Sequence, residues 1–193
     1  MASSDRPLGR LVDTRTFFFV CDMQDGFRQY IEFYEAIVTV VQRLVAAAKI
    51  LEIPVIVTEH KGFGSTVADI DVSTAKVFTK TRFSMLIPEV DEEIKSQSTR
   101  KSVVIFGVMT DCCVQQTTLD LLERGYDVHV IVDACSTRTQ VCRKFAIKRL
   151  KAAGAFITTS ESMLYELMKD TEHPKFKEVD KLLMTDAPDS GLL

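Results

Sequence analysis

The feature that most constrains the fold is a regular alternation of two kinds of segment along the chain. Short runs of apolar, β-branched and aromatic residues have the length and composition of strands that are buried on both faces of a sheet. Between most of them lie amphipathic stretches with apolar residues at helical spacing. The predicted strands are Thr16–Cys21, Pro54–Thr58, Val77–Thr79, Ser102–Gly107, Asp127–Val132 and Ala155–Thr158. The predicted helices are Ile31–Leu51, Ile87–Gln97, Val114–Arg124, Thr139–Ala153 and Ser160–Met168.

Strands that alternate with helices form parallel βαβ units with right-handed crossovers. The alternation therefore predicts an α/β fold, a three-layer α/β/α sandwich around a doubly wound, mainly parallel, Rossmann-like sheet of six strands. If the strand order is 3-2-1-4-5-6, the winding reverses between strands 1 and 4. Ligands bind at the carboxyl ends of the strands at such a reversal, so we expect the functional site there.

The length of 193 residues fits one domain better than two. We expect a single domain over 1–193, with an N-terminal arm over about 1–14 and a C-terminal extension over about 169–193. The longest connection, Glu59–Lys76, contains glycines and Ser/Thr residues and predicts a surface loop or lid.

Composition and charge exclude several classes of function. Hydrophobic residues make up 46% of the chain and charged residues 26%, as in folded globular proteins. The formal net charge is -3 and no long Lys/Arg cluster is present, so we expect no nucleic-acid partner. The longest nearly uncharged run, around Phe17–Cys21, is too short to cross a bilayer, so we expect no membrane partner.

Cysteine usage predicts the compartment. The five cysteines are odd in number, have no paired spacing and follow no secretory signal, which favours the reducing cytoplasm. The arginines and serines of the first 15 positions leave a mitochondrial presequence as the alternative, which Asp5 and Asp13 disfavour.

Three chemically distinct residues follow predicted strands at the expected reversal. Asp22 comes directly after strand 1, where it either caps the next turn or serves as a proton acceptor. Cys113 lies near the start of the helix after strand 4, where backbone N–H groups and the helix dipole favour a thiolate. Lys80 ends strand 3, and a cation beside a thiol lowers its pKa. Together they make a set for acyl transfer, with Cys113 as nucleophile, Asp22 as general base and then acid, and Lys80 as electrostatic orienter.

These residues lie in three blocks that resemble the isochorismatase-like cysteine hydrolases. The blocks are Asp22-Met23-Gln24 followed by Phe27, Lys80 followed by Phe83-Ser84, and Gly107-Val108-x-Thr110-Asp111-x-Cys113-Val114 with Thr117 and Asp120. The tail, His173-Pro174-Lys175-Phe176 and Ala187-Pro188-x-Ser190-Gly191-Leu192-Leu193, is similar to the isochorismatase domain-containing subgroup.

The resemblance implies a hydrolase with an Asp-Lys-Cys triad at Asp22, Lys80 and Cys113. It also implies an oxyanion hole formed by the backbone N–H groups of Met109 and Cys113, and a cis peptide bond between Val108 and Met109. Isochorismatases, which cleave a vinyl ether, lack the nucleophilic cysteine. The cysteine of this chain therefore favours hydrolysis of a small-molecule amide or related C–N bond through a thioester.

Two alternatives to amide hydrolysis stay open. One is ester or vinyl-ether hydrolysis at the same site, and the other is a catalytically silent binding or scaffold protein. The intact set of Asp22, Lys80 and Cys113 favours an enzyme over the silent protein.

Other residues near the three blocks are candidate walls of a substrate pocket. They are Gln24, Phe27, Glu59, His60, Phe63, Phe83 and Thr110. Nicotinamidases of the family carry an Asp-x-His metal motif after strand 2, whereas this chain has Thr58-Glu59-His60-Lys61-Gly62. We therefore expect neither a metal nor another cofactor. The family usually oligomerises, so the resemblance implies a homo-oligomer that acts on a small-molecule substrate.

Overall fold

The computed structural model describes residues 8–185 and 187–192. A six-stranded parallel sheet with the order β3-β2-β1-β4-β5-β6 forms its centre, which confirms the predicted fold class and strand order. The strands are β1 (Thr16–Cys21), β2 (Val55–His60), β3 (Lys76–Lys80), β4 (Ser102–Val108), β5 (Asp127–Ser136) and β6 (Phe156–Thr158). The helices are α1 (Tyr34–Ile50), α2 (Pro88–Ser96), α3 (Gln115–Glu123), α4 (Gln140–Ala153), α5 (Ser160–Met168) and α6 (Phe176–Leu183).

Helices cover both faces of the sheet. Helix α1 packs with α5 and α6 on one face, and α3 and α4 pack together on the other. Every residue of β1 and of β4 is buried, because these central strands are covered on both sides. Among the described residues, no helix is long and apolar enough to cross a membrane.

Two strands differ from their predictions. Strand β3 was expected to be buried, but it is an exposed edge strand in which Val77 is 42% exposed, since a loop rather than a helix connects it to β2. Strand β5 ends at Ser136 rather than at the predicted Val132. The prediction stopped early because Asp133 interrupts the apolar run of the sequence. The Asp133 carboxylate is satisfied there, accepting a 2.8 Å hydrogen bond from the backbone N–H of Ser160 at the start of α5.

Both ends of the described chain pack on the helices. Leu11 is fully buried, and its backbone N–H donates to Glu166 of α5 at 3.1 Å. The extension contains α6, which sequence analysis did not predict and which packs on α1 and α5. The described parts of the arm and of the extension therefore both contact the helices of the core.

The sheet brings the ends of β1 and β4 into direct contact. Cys21 pairs with Gly107 at the carboxyl edge. Gly107 has φ +118, and a Cβ there would lie 2.2 Å from the carbonyl oxygen of Cys21. Only glycine fits this position, and the two strands therefore deliver their following residues, Asp22 and Met109, to one place.

Candidate active site

Asp22 is held in the left-handed backbone region directly after β1, with φ 50. Its backbone N–H donates to the carbonyl oxygen of Thr58 at the end of β2 at 3.1 Å. The side chain is fully buried, and Oδ1 accepts a 2.8 Å hydrogen bond from the hydroxyl of Thr58. One carboxylate oxygen is thus fixed by β2, and the other, Oδ2, faces Lys80.

Lys80 ends β3, and its ammonium group is buried among acceptors. Nζ donates to Asp22 Oδ2 at 2.7 Å and to the carbonyl oxygens of Arg82 at 3.0 Å and Phe83 at 3.1 Å. His60 Nδ1 lies 3.3 Å from the same nitrogen.

Cys113 lies in a turn of π-helix, Thr110–Val114, between β4 and α3. The turn begins earlier than the predicted helix, which was expected to start at Val114, because the N–H of Val114 reaches back five residues to the carbonyl oxygen of Met109 at 3.1 Å. Cys113 is 4% exposed. The peptide bond between Val108 and Met109 is cis.

The structure brings the three predicted catalytic residues together. A carboxylate oxygen of Asp22, a ring nitrogen of His60 and the sulfur of Cys113 lie within 4.8 Å of one another. The Lys80 ammonium contacts Asp22 and His60. This cluster stands at the carboxyl ends of β1, β3 and β4, the edge at which a doubly wound sheet binds ligands.

Asp22 and Cys113 shift each other's pKa in opposite directions. Burial, and next the charge of Cys113, raise the pKa of Asp22 to about 8, against the lowering effects of Lys80 and Thr58. Hydrogen bonds from Cys112 and Cys21, helped by the charge of Lys80, hold the pKa of Cys113 below its ordinary value despite burial. At neutral pH the proton therefore belongs on Asp22 and the negative charge on sulfur. Burial lowers the pKa of Lys80, but the charges of Cys21, Asp22 and Cys113 outweigh burial and raise this pKa above its ordinary value. Lys80 therefore stays charged.

The residues at this site do not fit a resident metal ion. Asp22, His60 and Cys113 offer three potential ligand atoms in reach of one ion. Two of those residues, however, already face the ammonium of Lys80 at 2.7 and 3.3 Å. A divalent cation at the centre of the three would lie beside that ammonium and be repelled by it.

Aromatic rings surround His60 at the mouth of the site. The Phe83 ring lies 6.3 Å from the imidazole and nearly parallel to it, and Phe83 is 59% exposed. Phe63 meets the imidazole edge-on at 5.8 Å and stacks on Phe27 at 4.1 Å. Phe83 and Phe63 thus stand beside His60, whereas Phe27 is buried behind Phe63.

Gln24 and Glu59 hold the loop after β2 rather than face open space. The buried amide of Gln24 donates to the carbonyl oxygens of His60 at 3.0 Å and Gly64 at 2.5 Å, and accepts from the His60 N–H at 2.6 Å. Glu59 accepts from the N–H of Thr66 at 2.7 Å and from its hydroxyl at 2.9 Å. Thr110 is fully buried, and its hydroxyl has no hydrogen-bond partner within the described chain.

Two residues that sequence analysis did not assign to the site support it. Thr58 fixes the Asp22 carboxylate, and a polar residue ending the buried run of β2 was a usable signal for it. Thr117 ties the cysteine turn to the loop after β3, donating to the Cys113 carbonyl oxygen at 2.6 Å and accepting from the Met85 N–H at 2.9 Å. Thr117 belongs to the family motif, but nothing in the sequence indicated this contact, because its partners Cys113 and Met85 are distant from each other in sequence.

We expect Lys80→Met to destabilise the fold by about 3–5 kcal/mol, the usual cost of removing one partner of a buried ion pair. Methionine replaces the aliphatic stem but leaves the negative charge shared by Asp22 and Cys113 without a cation. Urea unfolding followed by circular dichroism measures the change. Lys76→Met is the matched control on the same strand, because Lys76 pairs with Glu93 at the surface and its loss should cost under about 1 kcal/mol. Equal, small losses in both variants would contradict a buried charge at the site.

The fold and the site together define the class of this protein. It is a Rossmann-like α/β protein with a thiol, a carboxylate and an ammonium at the edge of the sheet where the winding reverses. The chain belongs to the isochorismatase family, because the Isochorismatase domain model matches residues 16–162. This confirms the resemblance inferred from the sequence motifs and identifies the fold as a hydrolase fold.

Named relatives match over nearly the whole chain. Isochorismatase domain-containing protein 2 of Xenopus laevis is 52% identical, over 99% of this chain and 94% of the relative. The Homo sapiens protein of the same name is 43% identical, over 100% of this chain and 95% of the relative. The expected subgroup, isochorismatase domain-containing proteins, is therefore confirmed.

Solved structures share the fold. A Caenorhabditis elegans protein called MAR1 ribonuclease has a TM-score of 0.91 and 45% identity, covering 95% of this chain and 97% of that one. YcaC from Pseudomonas aeruginosa, solved with covalent acrylamide, has a TM-score of 0.83 and 25% identity, covering 92% of this chain and 93% of that one. The Escherichia coli YcaC gene product, described as an octameric hydrolase, has a TM-score of 0.86 at 24% identity, covering 95% of this chain and 94% of that one.

Proposed function

We propose that this protein is a cysteine hydrolase that cleaves a C–N bond of a small-molecule amide through a thioester. The observation that carries the proposal is the convergence of Cys113, Asp22 and Lys80, with the pKa of the thiol lowered and that of the carboxyl raised. A nucleophile and an adjacent acid whose pKa values are pushed apart form the acid–base pair that acyl transfer needs.

In the proposed reaction, the Cys113 thiolate attacks the carbonyl carbon while its former proton sits on Asp22. The backbone N–H groups of Met109 and Cys113 stabilise the oxyanion. Asp22 then donates its proton to the leaving nitrogen, and the amine departs from the thioester. Asp22, now a carboxylate, takes a proton from water, which attacks the thioester and releases the acid. Lys80 keeps the carboxylate oriented and balances the charge that Asp22 and Cys113 share.

The burial of the cluster favours a small substrate. The side chains of Asp22 and Lys80 are fully buried, and Cys113 is 4% exposed, so a slender group rather than a polymer backbone reaches the sulfur. Phe63, Phe83 and the ring of His60 would contact the substrate at the mouth.

RNA is a weaker substrate candidate, although the C. elegans relative is called a ribonuclease. A phosphodiester approaching Cys113 would meet the negative charge that Cys113 and Asp22 share, and the Lys80 ammonium is already engaged by Asp22 and two carbonyl oxygens. Like charges in a buried site cost several kcal/mol in order of magnitude. A neutral amide meets no such repulsion.

The test is the rate of Cys113 alkylation by iodoacetamide as a function of pH, read by peptide mapping. A lowered pKa means that the thiolate persists as pH falls below the ordinary thiol value of about 8.5 and is lost only when pH drops through the lowered pKa. We therefore expect fast labelling of Cys113 at pH 6, well ahead of the exposed Cys142, which serves as the control thiol in the same sample. Labelling no faster than that of Cys142 would favour the silent scaffold protein instead.

We further propose that the protein is a homo-oligomer. Val141 and Phe145, one turn apart on α4, are 66% and 62% exposed, and large apolar side chains adjacent on a surface are typical of interfaces. The octameric assembly named for the E. coli structure supports the same proposal. Sedimentation velocity measures the subunit number, and a monomer at micromolar concentration would contradict the proposal.

A cytoplasmic location is also proposed. All five cysteines are free thiols, as expected in a reducing compartment. Fractionation of cells that express the full chain tests this, and recovery with mitochondria would contradict it.

A further inference from the structure

One cavity of the molecule shares no residue with the proposed active site. Its volume is about 590 Å³, and it lies between helix α4, the strands β5 and β6, and the end of the C-terminal extension. Its walls are mostly apolar, and they include Val132 of β5, Ile147 of α4, Ile157 of β6 and Leu192 of the extension. Cavities of roughly this size with mostly apolar walls are the usual binding sites of small molecules.

The polar side chains that line the cavity are mainly cations. Arg143, Lys144 and Lys148 of α4 contribute to the lining, together with the uncharged Gln140. Helix α4 as a whole contains five Lys and Arg residues and no Asp or Glu. The chain has a formal net charge of -3, so α4 is positively charged in a molecule that is negative overall.

Arg143 is buried and has no anionic partner. It is 2% exposed, and its guanidinium donates only to neutral acceptors. These are the carbonyl oxygens of Val132, at 2.9 Å, and Ser190, and the side-chain oxygen of Gln140 at 3.4 Å. Nε donates to nothing, and no carboxylate pairs with this side chain among the described residues. A buried cation without a counter-ion is costly, so a bound anion beside it would be stabilised.

The acidic residue Asp133 does not neutralise this charge by direct contact. It follows Val132 on β5, but its carboxylate accepts the backbone N–H of Ser160 at 2.8 Å and the hydroxyl of the same residue at 2.5 Å. Lys144 and Lys148 are exposed, and neither pairs with a carboxylate in the part of the chain that the structure describes. All three cations of the cavity are therefore left to a ligand from outside the chain.

The end of the C-terminal extension is held in place as one wall of the cavity. The side-chain amide of Gln140 donates to the carbonyl oxygen of Gly191, and Arg143 donates to that of Ser190. These two bonds position the next residue, Leu192, against the cavity. The wall is therefore formed before any ligand binds, which lowers the entropic cost of binding.

We propose that this cavity binds an amphipathic anion, a molecule in which a carboxylate or a phosphate is joined to an aliphatic or aromatic body. The body lies against the apolar walls formed by β5, β6 and α4. The head group binds the ammonium groups of Lys144 and Lys148 beside the buried charge of Arg143. A nucleic acid fits the cavity less well, because its phosphates would contact the cations and leave the apolar walls exposed to water.

Isothermal titration calorimetry of the full chain at pH 7 tests the proposal, with octanoate and octyl phosphate as the two probes. We expect one molecule bound per chain, with a Kd on the order of 10⁻⁴–10⁻³ M for a ligand of this size. The probe that binds more tightly identifies the head group. Octanol has the body without the charge, and acetate has the charge without the body. Each should bind at least about tenfold more weakly, because a hydrogen bond to a charged group contributes about 1.5–3 kcal/mol and the body supplies the rest. Several molecules bound per chain, or octanol bound as tightly as octanoate, would overturn the inference.

The lysines of α4 supply variants that locate the bound anion. The double substitution of Lys144→Met and Lys148→Met removes both ammonium groups and keeps apolar stems, so the affinity for octanoate should fall about tenfold or more. Lys151→Met is the matched control, because it removes an exposed cation of the same helix that does not line the cavity. It should bind octanoate as the unmodified chain does. Equal affinities in the double variant and in Lys151→Met would place the anion elsewhere and contradict the inference.

A second copy of the chain is the other candidate to cover this cavity, since the proposed subunit contact at Val141 and Phe145 lies on the neighbouring stripe of α4. Sedimentation velocity on the same variants separates the two possibilities. We expect the double variant to keep its subunit number and lose only the ligand. A changed subunit number, together with no binding of either probe to the unmodified chain, would assign the cavity to a subunit contact instead. None of these measurements uses turnover, so failure of the hydrolase proposal leaves this inference standing.

Discussion

Cys113→Ala is expected to abolish turnover of any amide that the protein hydrolyses, with kcat reduced on the order of 10⁴–10⁶-fold. The substitution removes the atom that forms the thioester, and among the cysteines near the site neither Cys21 nor Cys112 can replace it. Burial is the first cause that raises the pKa of Cys21, and it remains in the variant. The pKa of Cys112 is raised first by its bond to Cys113, which the variant lacks, and then by burial, which the variant keeps. Steady-state kinetics on a panel of small amides measures the loss.

The fold should survive this substitution. Alanine removes only one sulfur atom from a residue that is 4% exposed, and a small truncation in a packed site costs about 1–2 kcal/mol. Cys142→Ala, at the exposed start of α4, is the matched control and should keep full activity. Turnover retained by Cys113→Ala would eliminate the thioester mechanism, and turnover that is absent from both the unmodified chain and the variant would favour a silent binding protein.

The sheet and the candidate site could be predicted from sequence because both depend on local pattern. Buried parallel strands are continuous apolar runs, and the residue after each run lies at the carboxyl edge. Asp22 and Lys80 were placed in this way from different parts of the chain, and the structure joins them at 2.7 Å. The position of Cys113 was harder to predict, because Cys113 does not follow β4 directly but lies in the π-helical turn after it. The sequence did not reveal the type of this turn.

The supporting residues could not be predicted because their roles depend on contacts distant in sequence. We predicted that Gln24 lines the pocket, but its side-chain amide forms hydrogen bonds with the backbone of His60 and Gly64, which are 36 and 40 positions away. Helix α6 was not predicted because the extension is mostly polar and its few apolar residues were not recognised as one face of a helix. Val179 and Leu183 of this face are buried against the neighbouring helices. Pattern alone does not say which surface will cover such a stripe.

Asp22→Asn is expected to separate the two tasks that the proposed mechanism gives to this residue. At neutral pH the proton resides on Asp22, whose pKa is raised to about 8 chiefly by burial and then by the charge of Cys113. Asparagine is neutral and of the same shape, so it stands in for the protonated acid, and the Cys113 thiolate should persist. We therefore expect iodoacetamide to label Cys113 in this variant as fast as in the unmodified chain. Turnover should fall about 10²–10⁴-fold, because asparagine cannot give a proton to the leaving nitrogen or take one from water.

The dependence of kcat on pH tests whether Asp22 acts as the proton donor. A group with a raised pKa donates its proton below that pKa and cannot do so above it, so kcat of the unmodified chain should decline as pH rises through about 8. In Asp22→Asn the residual rate should lack that decline. If alkylation instead slows together with turnover, Asp22 is needed to form the thiolate, and the resting proton belongs on sulfur. If neither rate changes, Asp22 takes no part in the chemistry, and its bonds to Thr58 and Lys80 serve the fold alone.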